Sequence, residues 1–152
     1  TAEAFKAIKE KNAKFISRGD NSGTHQKELG MWEKVSKIVP EKDSWYIQTG
    51  QGMIATINMA SEKDGYTLTD RGTWIKYESQ KGESNNMKIV VENDNVLFNQ
   101  YSVITVNKDR CPQVKTQLAI DFSNWIIKDE TQKLIGDFKL LNKPLFTPNA
   151  KK

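Results

Sequence analysis

The pattern that most constrains this chain is a short apolar run, a polar turn and an amphipathic segment, in that order and three times over. First, Lys14-Phe15-Ile16 leads into Ser17-Arg18-Gly19-Asp20-Asn21-Ser22-Gly23-Thr24-His25, after which Leu29, Trp32, Val35 and Ile38 recur every three residues. Second, the aromatic and β-branched run Ser44-Trp45-Tyr46-Ile47 ends at Thr49-Gly50-Gln51-Gly52-Met53, and Met53, Ile54 and Ile57 carry on into a helix ending near Lys63. Third, Tyr66-Thr67-Leu68-Thr69-Asp70-Arg71-Gly72-Thr73 offers Thr69 or Asp70 as the cap of a helix bearing Trp74 and Tyr77. Strands alternating with helices at this spacing predict an α/β architecture, a mostly parallel sheet with flanking helices.

The remaining segments fill in around these three junctions. Residues 3–12 carry Phe5 and Ile8 on one face and read as a helix feeding the strand at 14–18; the helix at 23–38 stops before Pro40. Met87 to Val91 and Tyr101 to Val106 read as strands. Pro112 starts a helix that keeps Val114, Leu118, Phe122, Trp125 and Ile126 on one side, and Asp129 with Gln132 resembles a capping box for a last helix. The tail from Asn142 to Lys152 has two prolines and no periodicity. A chain of 152 residues supports one compact domain, with Trp32, Trp45, Trp74 and Trp125 as large core pieces.

Charge and rare residues exclude several functions. The net charge of +4 is spread along the chain with acids interleaved, so no basic block suits a nucleic-acid backbone. Cys111 is the only cysteine and His25 the only histidine, which argues against an internal disulfide, a zinc centre and a Cys–His catalytic pair. No stretch approaches the roughly 18 apolar residues of a membrane span. No signal peptide opens the chain; Thr1-Ala2-Glu3-Ala4-Phe5 already reads as a helix start.

The first turn is the candidate site. The leading N–H groups of a helix lack internal acceptors, and the peptide dipoles place about half a positive charge there. A small, oxygen-rich anion satisfies both. Gly23 admits a ligand close to the backbone, Ser22 and Thr24 add hydroxyl donors, and Arg18 adds a planar guanidinium. Asp20 would repel an anion, so it is read as a clamp on Arg18 or an acceptor for turn amides. The same residue types also serve as plain caps in any strand-to-helix turn; Arg18 beside Ser22-Gly23-Thr24 favours anion binding. Gly50 and Gly52, flanking Gln51, repeat the design, so both turns converge at the C-terminal edge of one sheet if their strands are neighbours. Glycine for a sharp turn remains the simpler reading there. Arg18-Gly19-Asp20 also spells a cell-adhesion tripeptide, a string short enough to occur by chance.

The blocks 17–25, 44–53 and 66–73, with Leu97-Phe98-Asn99 and Pro144-Leu145-Phe146-Thr147-Pro148-Asn149-Ala150, resemble in order the tungstate-binding proteins of bacterial ABC importers. The resemblance implies a type II periplasmic-binding-protein fold, two lobes closing over a tetrahedral oxyanion, with this chain as the second lobe. The first turn is also similar to the Arg-x-Asp-x-Ser-Gly-Thr turn of phosphate-binding proteins. By that match Arg18, Ser22, Gly23 and Thr24 touch the anion and Asp20 holds Arg18; Ser17 is expected in support, and Gly50, Gln51 and Gly52 at the edge of the cleft. Tungstate carries no proton near neutral pH and suits a site of donors alone, whereas protonated phosphate also needs an acceptor, which a carboxylate such as Asp20 can provide. Molybdate has the same shape and charge.

The resemblance further implies an extracytoplasmic protein that presents its anion to ABC permease subunits and uses no cofactor or protein-held metal. Residues 1–108 are expected to form the second-lobe domain. Residues 109–152 are expected to be helices and a tail that pack on a first lobe this chain lacks, or on a second copy of it in a homodimer. Two alternatives stay open: an anion-sensing regulatory domain of the same fold, and an enzyme holding a phosphorylated substrate on the same turn with His25 as base.

Overall fold

A computed structural model describes residues 1–150; the last two residues of the expected tail, Lys151 and Lys152, lie outside the described residues. The chain divides into two compact units, Thr1–Phe98 and a second beginning at Asn99.

The first unit is built from the three junctions. Helix α1 (Ala2–Glu10) buries Phe5 and Ile8 and leads to strand β1 (Phe15–Ser17), all three residues of which are buried. Helix α2 (Gly23–Ser36) follows, closed by Lys37 in the left-handed region with φ 56°. Strand β2 (Tyr46–Gln48) pairs parallel to β1 in the register Phe15↔Tyr46, Ile16↔Ile47, Ser17↔Gln48. Helix α3 (Met53–Glu62) comes next. Tyr66 then joins the other side of β1 through a parallel bridge, with Ile16 N–H donating to Tyr66 C=O at 2.7 Å and Tyr66 N–H to Lys14 C=O at 2.8 Å. Helix α4 (Arg71–Lys81) completes the unit's α-helices. β1 is therefore central, and all three strand-to-helix turns leave the same edge of a small parallel sheet.

A central parallel strand is covered on both faces, which is why β1 reads as buried without alternation. On one side Trp32 is the hub. Its ring lies 4.5 Å from Phe5, 5.1 Å from Phe15 and 5.5 Å from Trp45, with Met31 and Tyr46 in the same cluster. Each such side chain contributes roughly 1.5–3 kcal/mol by leaving water. A separate cluster joins Met53 and Ile57 of α3 to Trp74 and Tyr77 of α4.

The second unit contains α5 (Thr116–Ile126), α6 (Asp129–Asp137) and a two-residue hairpin, β3 (Lys139–Leu140) against β4 (Lys143–Pro144). The hairpin turn, Leu141-Asn142, has φ of 50° and 63°, the left-handed pair that matches strand twist.

The α/β expectation holds, with corrections in detail. Met87–Val91 and Tyr101–Val106 form no strand; a β conformation needs a ladder partner for its N–H and C=O groups, and none pairs with them among the described residues. The helix expected from Pro112 starts at Thr116, because residues 107–114 close a turn through Cys111 N–H on Asn107 C=O and Val114 N–H on Cys111 C=O. The Asp129–Gln132 capping box is absent: Lys128 is the N-cap and Asp129 the first helical residue, while Gln132 Nε2 donates back to Ile126 C=O at 2.8 Å. Trp125 is 43% exposed rather than a core residue, as are its neighbours Leu118 and Phe122. In α2 the buried face is His25, Glu28, Met31 and Trp32 instead of a Leu29-to-Ile38 stripe, since the helix ends at Ser36 and leaves Ile38 exposed.

Candidate functional site

The site begins where β1 ends. Ser17 is buried, and its Oγ donates to Glu28 Oε2 at 2.6 Å while accepting Gly19 N–H at 3.2 Å. Gly19 has φ +60°, and a Cβ there would come within 2.8 Å of Gln48 Cβ on the neighbouring strand, so backbone conformation and space both call for glycine.

Around Gly19 the charged residues organise each other. Arg18 Nε and Nη2 donate to Asp20 Oδ2 at 3.1 and 2.5 Å; Asp20 Oδ1 accepts Ser22 N–H at 3.1 Å. Asp20 is thus both the clamp and the amide acceptor. Hydrogen bonds from Ser22, aided by Arg18, hold its carboxyl down at about 2, so it is an anion at any physiological pH. The pairing occupies one edge of the guanidinium and leaves the Nη1 donors without a partner among the described residues.

Helix α2 then opens with Ser22 as N-cap. Its Oγ accepts His25 N–H at 3.3 Å, and Gln26 N–H reaches Ser22 C=O at 2.8 Å. The Gly23 and Thr24 amides have no acceptor among the described residues, and a Cβ on Gly23 would meet nothing within 4 Å. His25 is buried, its Nδ1 accepting the amide of Asn21, which sits at φ 58°. One ring nitrogen of His25 is thus engaged in shaping the turn, and the other, Nε2, is buried with no hydrogen-bond partner among the described residues, so His25 is not an exposed base.

The second turn is fastened to the first. Thr49 N–H donates to Ser17 C=O at 2.9 Å, and the Thr49 hydroxyl donates to Arg18 C=O at 3.2 Å and lies 3.0 Å from Thr56 Oγ1. Gly50 has φ +64°, Gln51 N–H donates to Thr49 Oγ1 at 3.1 Å, and Gly52 is the N-cap of α3 with no side-chain cap. All three are exposed. The start of α2, with its Gly23 and Thr24 amides unbonded, and the start of α3, with no side-chain cap, therefore lie side by side on one sheet edge. The third differs: Asp70 caps α4, taking Thr73 N–H at 2.8 Å and Thr73 Oγ1 at 2.7 Å, so a carboxylate already fills the place an anion would take.

The structure thus brings Arg18, Asp20, Ser22, Gly23 and Thr24 together with Ser17 and Thr49, and sets Gly50, Gln51 and Gly52 on the adjacent turn. Sequence reasoning missed Thr49 and Glu28. Glu28 could have been found from its spacing, three residues after His25 and four before Trp32, which puts a carboxylate inside the buried stripe. Most of the groups left open to a ligand are donors, and the carboxylate among them already receives Arg18 and the Ser22 amide. Among the described residues no three His, Cys, Asp or Glu side chains gather as a metal site, and no helix is long and apolar enough to cross a membrane.

The model of the PBP superfamily domain matches residues 1–130. The chain is 50% identical over 149 residues to the tungstate-binding protein TupA of Campylobacter jejuni, covering 98% of this chain and 55% of that protein. Among solved structures, the tungstate-binding protein TupA from Desulfovibrio alaskensis G20 superposes with a TM-score of 0.92 at 57% identity, covering 99% of this chain and 60% of the other. The tungstate ABC transporter structure from Geobacter sulfurreducens gives 0.68 at 42% identity, covering 90% and 56%. The chain spans about half the length of the curated relatives it matches.

Proposed function

This chain belongs to the PBP superfamily, and from that premise we propose that it supplies one lobe's half of a cleft that captures a tetrahedral oxyanion for an ABC importer. The observation that carries the reading is the unbonded Gly23 and Thr24 amides of α2, joined through Thr49 to the uncapped start of α3, beside an Arg18 already oriented by Asp20. In that half-site Arg18 Nη1, the Gly23 and Thr24 amides and the Ser22 and Thr24 hydroxyls hold the anion, with the turn at Gly50-Gln51-Gly52 forming the cleft edge. The anion trades hydration for fixed dipoles, with no covalent step. The many donors of the half-site suit an unprotonated dianion, and the names of the relatives point to tungstate. Molybdate fits equally. The names and identities of the relatives support the same ligand class, an importer partner, an extracytoplasmic location and a binding rather than a catalytic role.

The remaining half of the cleft comes from a first lobe, in the length of the relatives that this chain does not span. Residues 109–152 pack on that lobe, which accounts for the exposed Leu118, Phe122 and Trp125. The test is a thermal melt with tungstate on the chain completed by a first lobe. A rise in Tm that Arg18→Ala removes supports the assignment; a rise that survives in Arg18→Ala overturns it.

A further inference from the structure

The anion turn is tied to a buried carboxylate. Glu28 is 2% exposed and receives three donors from three elements: Ser17 Oγ at 2.6 Å on Oε2, and the Tyr46 hydroxyl at 2.7 Å and Trp32 Nε1 at 2.9 Å on Oε1. An apolar side chain of similar volume would serve the core at least as well, because a buried ion loses its hydration. A carboxylate near an anion site also opposes the anion by its charge. Its use must therefore be geometric.

That use is visible in Ser17. A hydroxyl has one proton; given to Glu28, it leaves the Ser17 oxygen as acceptor for Gly19 N–H at 3.2 Å. Gly19 lies between Arg18 and Asp20 at φ +60°, with its amide held by this bond and no room for a Cβ against Gln48. We propose that Glu28 is a positioning residue for the anion half-site: by fixing the Ser17 hydroxyl as a donor, it locks the Gly19 amide and with it the Arg18–Asp20–Ser22 turn. The proposal rests on the oxyanion reading above. It makes the strand end, α2 and β2 one unit through which the turn is set before any anion arrives.

Glu28→Gln tests it, since the amide keeps the shape but turns a donor towards Ser17 Oγ, so the Ser17 proton is no longer fixed away from the Gly19 amide. Positioning and charge then predict opposite signs. Tungstate titration by calorimetry, on the chain completed by a first lobe, should show Glu28→Gln and Ser17→Ala each weakening binding about tenfold, roughly the loss of one hydrogen bond. The double variant should be no weaker than the worse single, as for two residues in one relay. Unchanged or tighter binding in Glu28→Gln, or losses that multiply in the double variant, overturns the proposal. A second measurement needs no ligand: amide exchange by NMR should show Gly19 N–H less protected in both variants while Ile16 N–H on β1 keeps its protection. Unaltered protection at Gly19 overturns the proposal as well. Should wild type fail to bind tungstate, the oxyanion reading fails, and the exchange measurement still decides the role of Glu28. If Glu28→Gln does not fold, Ser17→Ala, which leaves Glu28 its Trp32 and Tyr46 donors, carries both measurements.

Discussion

The Thr49 hydroxyl donates to the Arg18 carbonyl at 3.2 Å, across 31 residues of sequence, and the Thr49 amide reaches the Ser17 carbonyl one residue earlier. The second turn therefore shapes the backbone of the first. Thr49→Val keeps the volume and removes the hydroxyl, stranding the Gln51 amide and a Thr56 contact together with the Arg18 carbonyl. The expected cost is about 1–2 kcal/mol of folding stability, read as a lower urea midpoint at unchanged m.

Gly19→Ala should be more damaging than its small size suggests. The new Cβ must accept φ +60°, which costs about 1 kcal/mol, and must also displace Gln48 from 2.8 Å, which adds roughly 1–3 kcal/mol. Gly23→Ala is the control for folding: its φ is ordinary and its surroundings are open, so its urea midpoint should stay within about 0.5 kcal/mol of wild type.

Asp20 sets an acid limit. Hydrogen bonds from Ser22, then Arg18, hold its folded-state pKa at about 2, below the unfolded value near 3.9. A depressed carboxylate stabilises the fold above the unfolded value and stops doing so as pH falls through the folded one. Thermal melts between pH 5 and pH 2 should therefore show wild type losing Tm towards pH 2, and Asp20→Asn losing less. Asp94, also held at about 2, titrates in the same window in both proteins, so the difference between the two curves belongs to Asp20.

Trp32 is both packing hub and hydrogen-bond donor. Trp32→Ala removes ring contacts to Phe5, Phe15 and Trp45 and leaves Glu28 without its indole partner. The large-to-small change alone costs about 3–5 kcal/mol, and the lost donor adds to it. Trp32→Phe, which keeps much of the ring, should fall well short of that loss in a denaturant titration.

Local features were legible before the fold was. The turn of 17–25 announced itself by composition, and Asp70 as a cap needed only its neighbours Arg71 to Thr73, because capping chemistry acts over three or four residues. The segments at 87–91 and 101–106 were misread for the opposite reason: their β-branched residues suit a strand, but a strand exists only with a partner. Asp129 shows a finer error, a cap displaced by one residue where α5 ends close before it.

By itself the sequence determined that three polar turns join apolar runs to helices, and that one of them carries an arginine, an aspartate and a Ser-Gly-Thr run. Those are properties of neighbouring residues and need no fold to express them. Tertiary structure alone decided that β2 lies beside β1, that Thr49 grips Arg18, and that Glu28 is buried under three donors. Each depends on contacts between residues far apart in the chain or on which face of a helix meets the sheet. Packing chooses among those once the whole unit has condensed, and no local pattern records the choice.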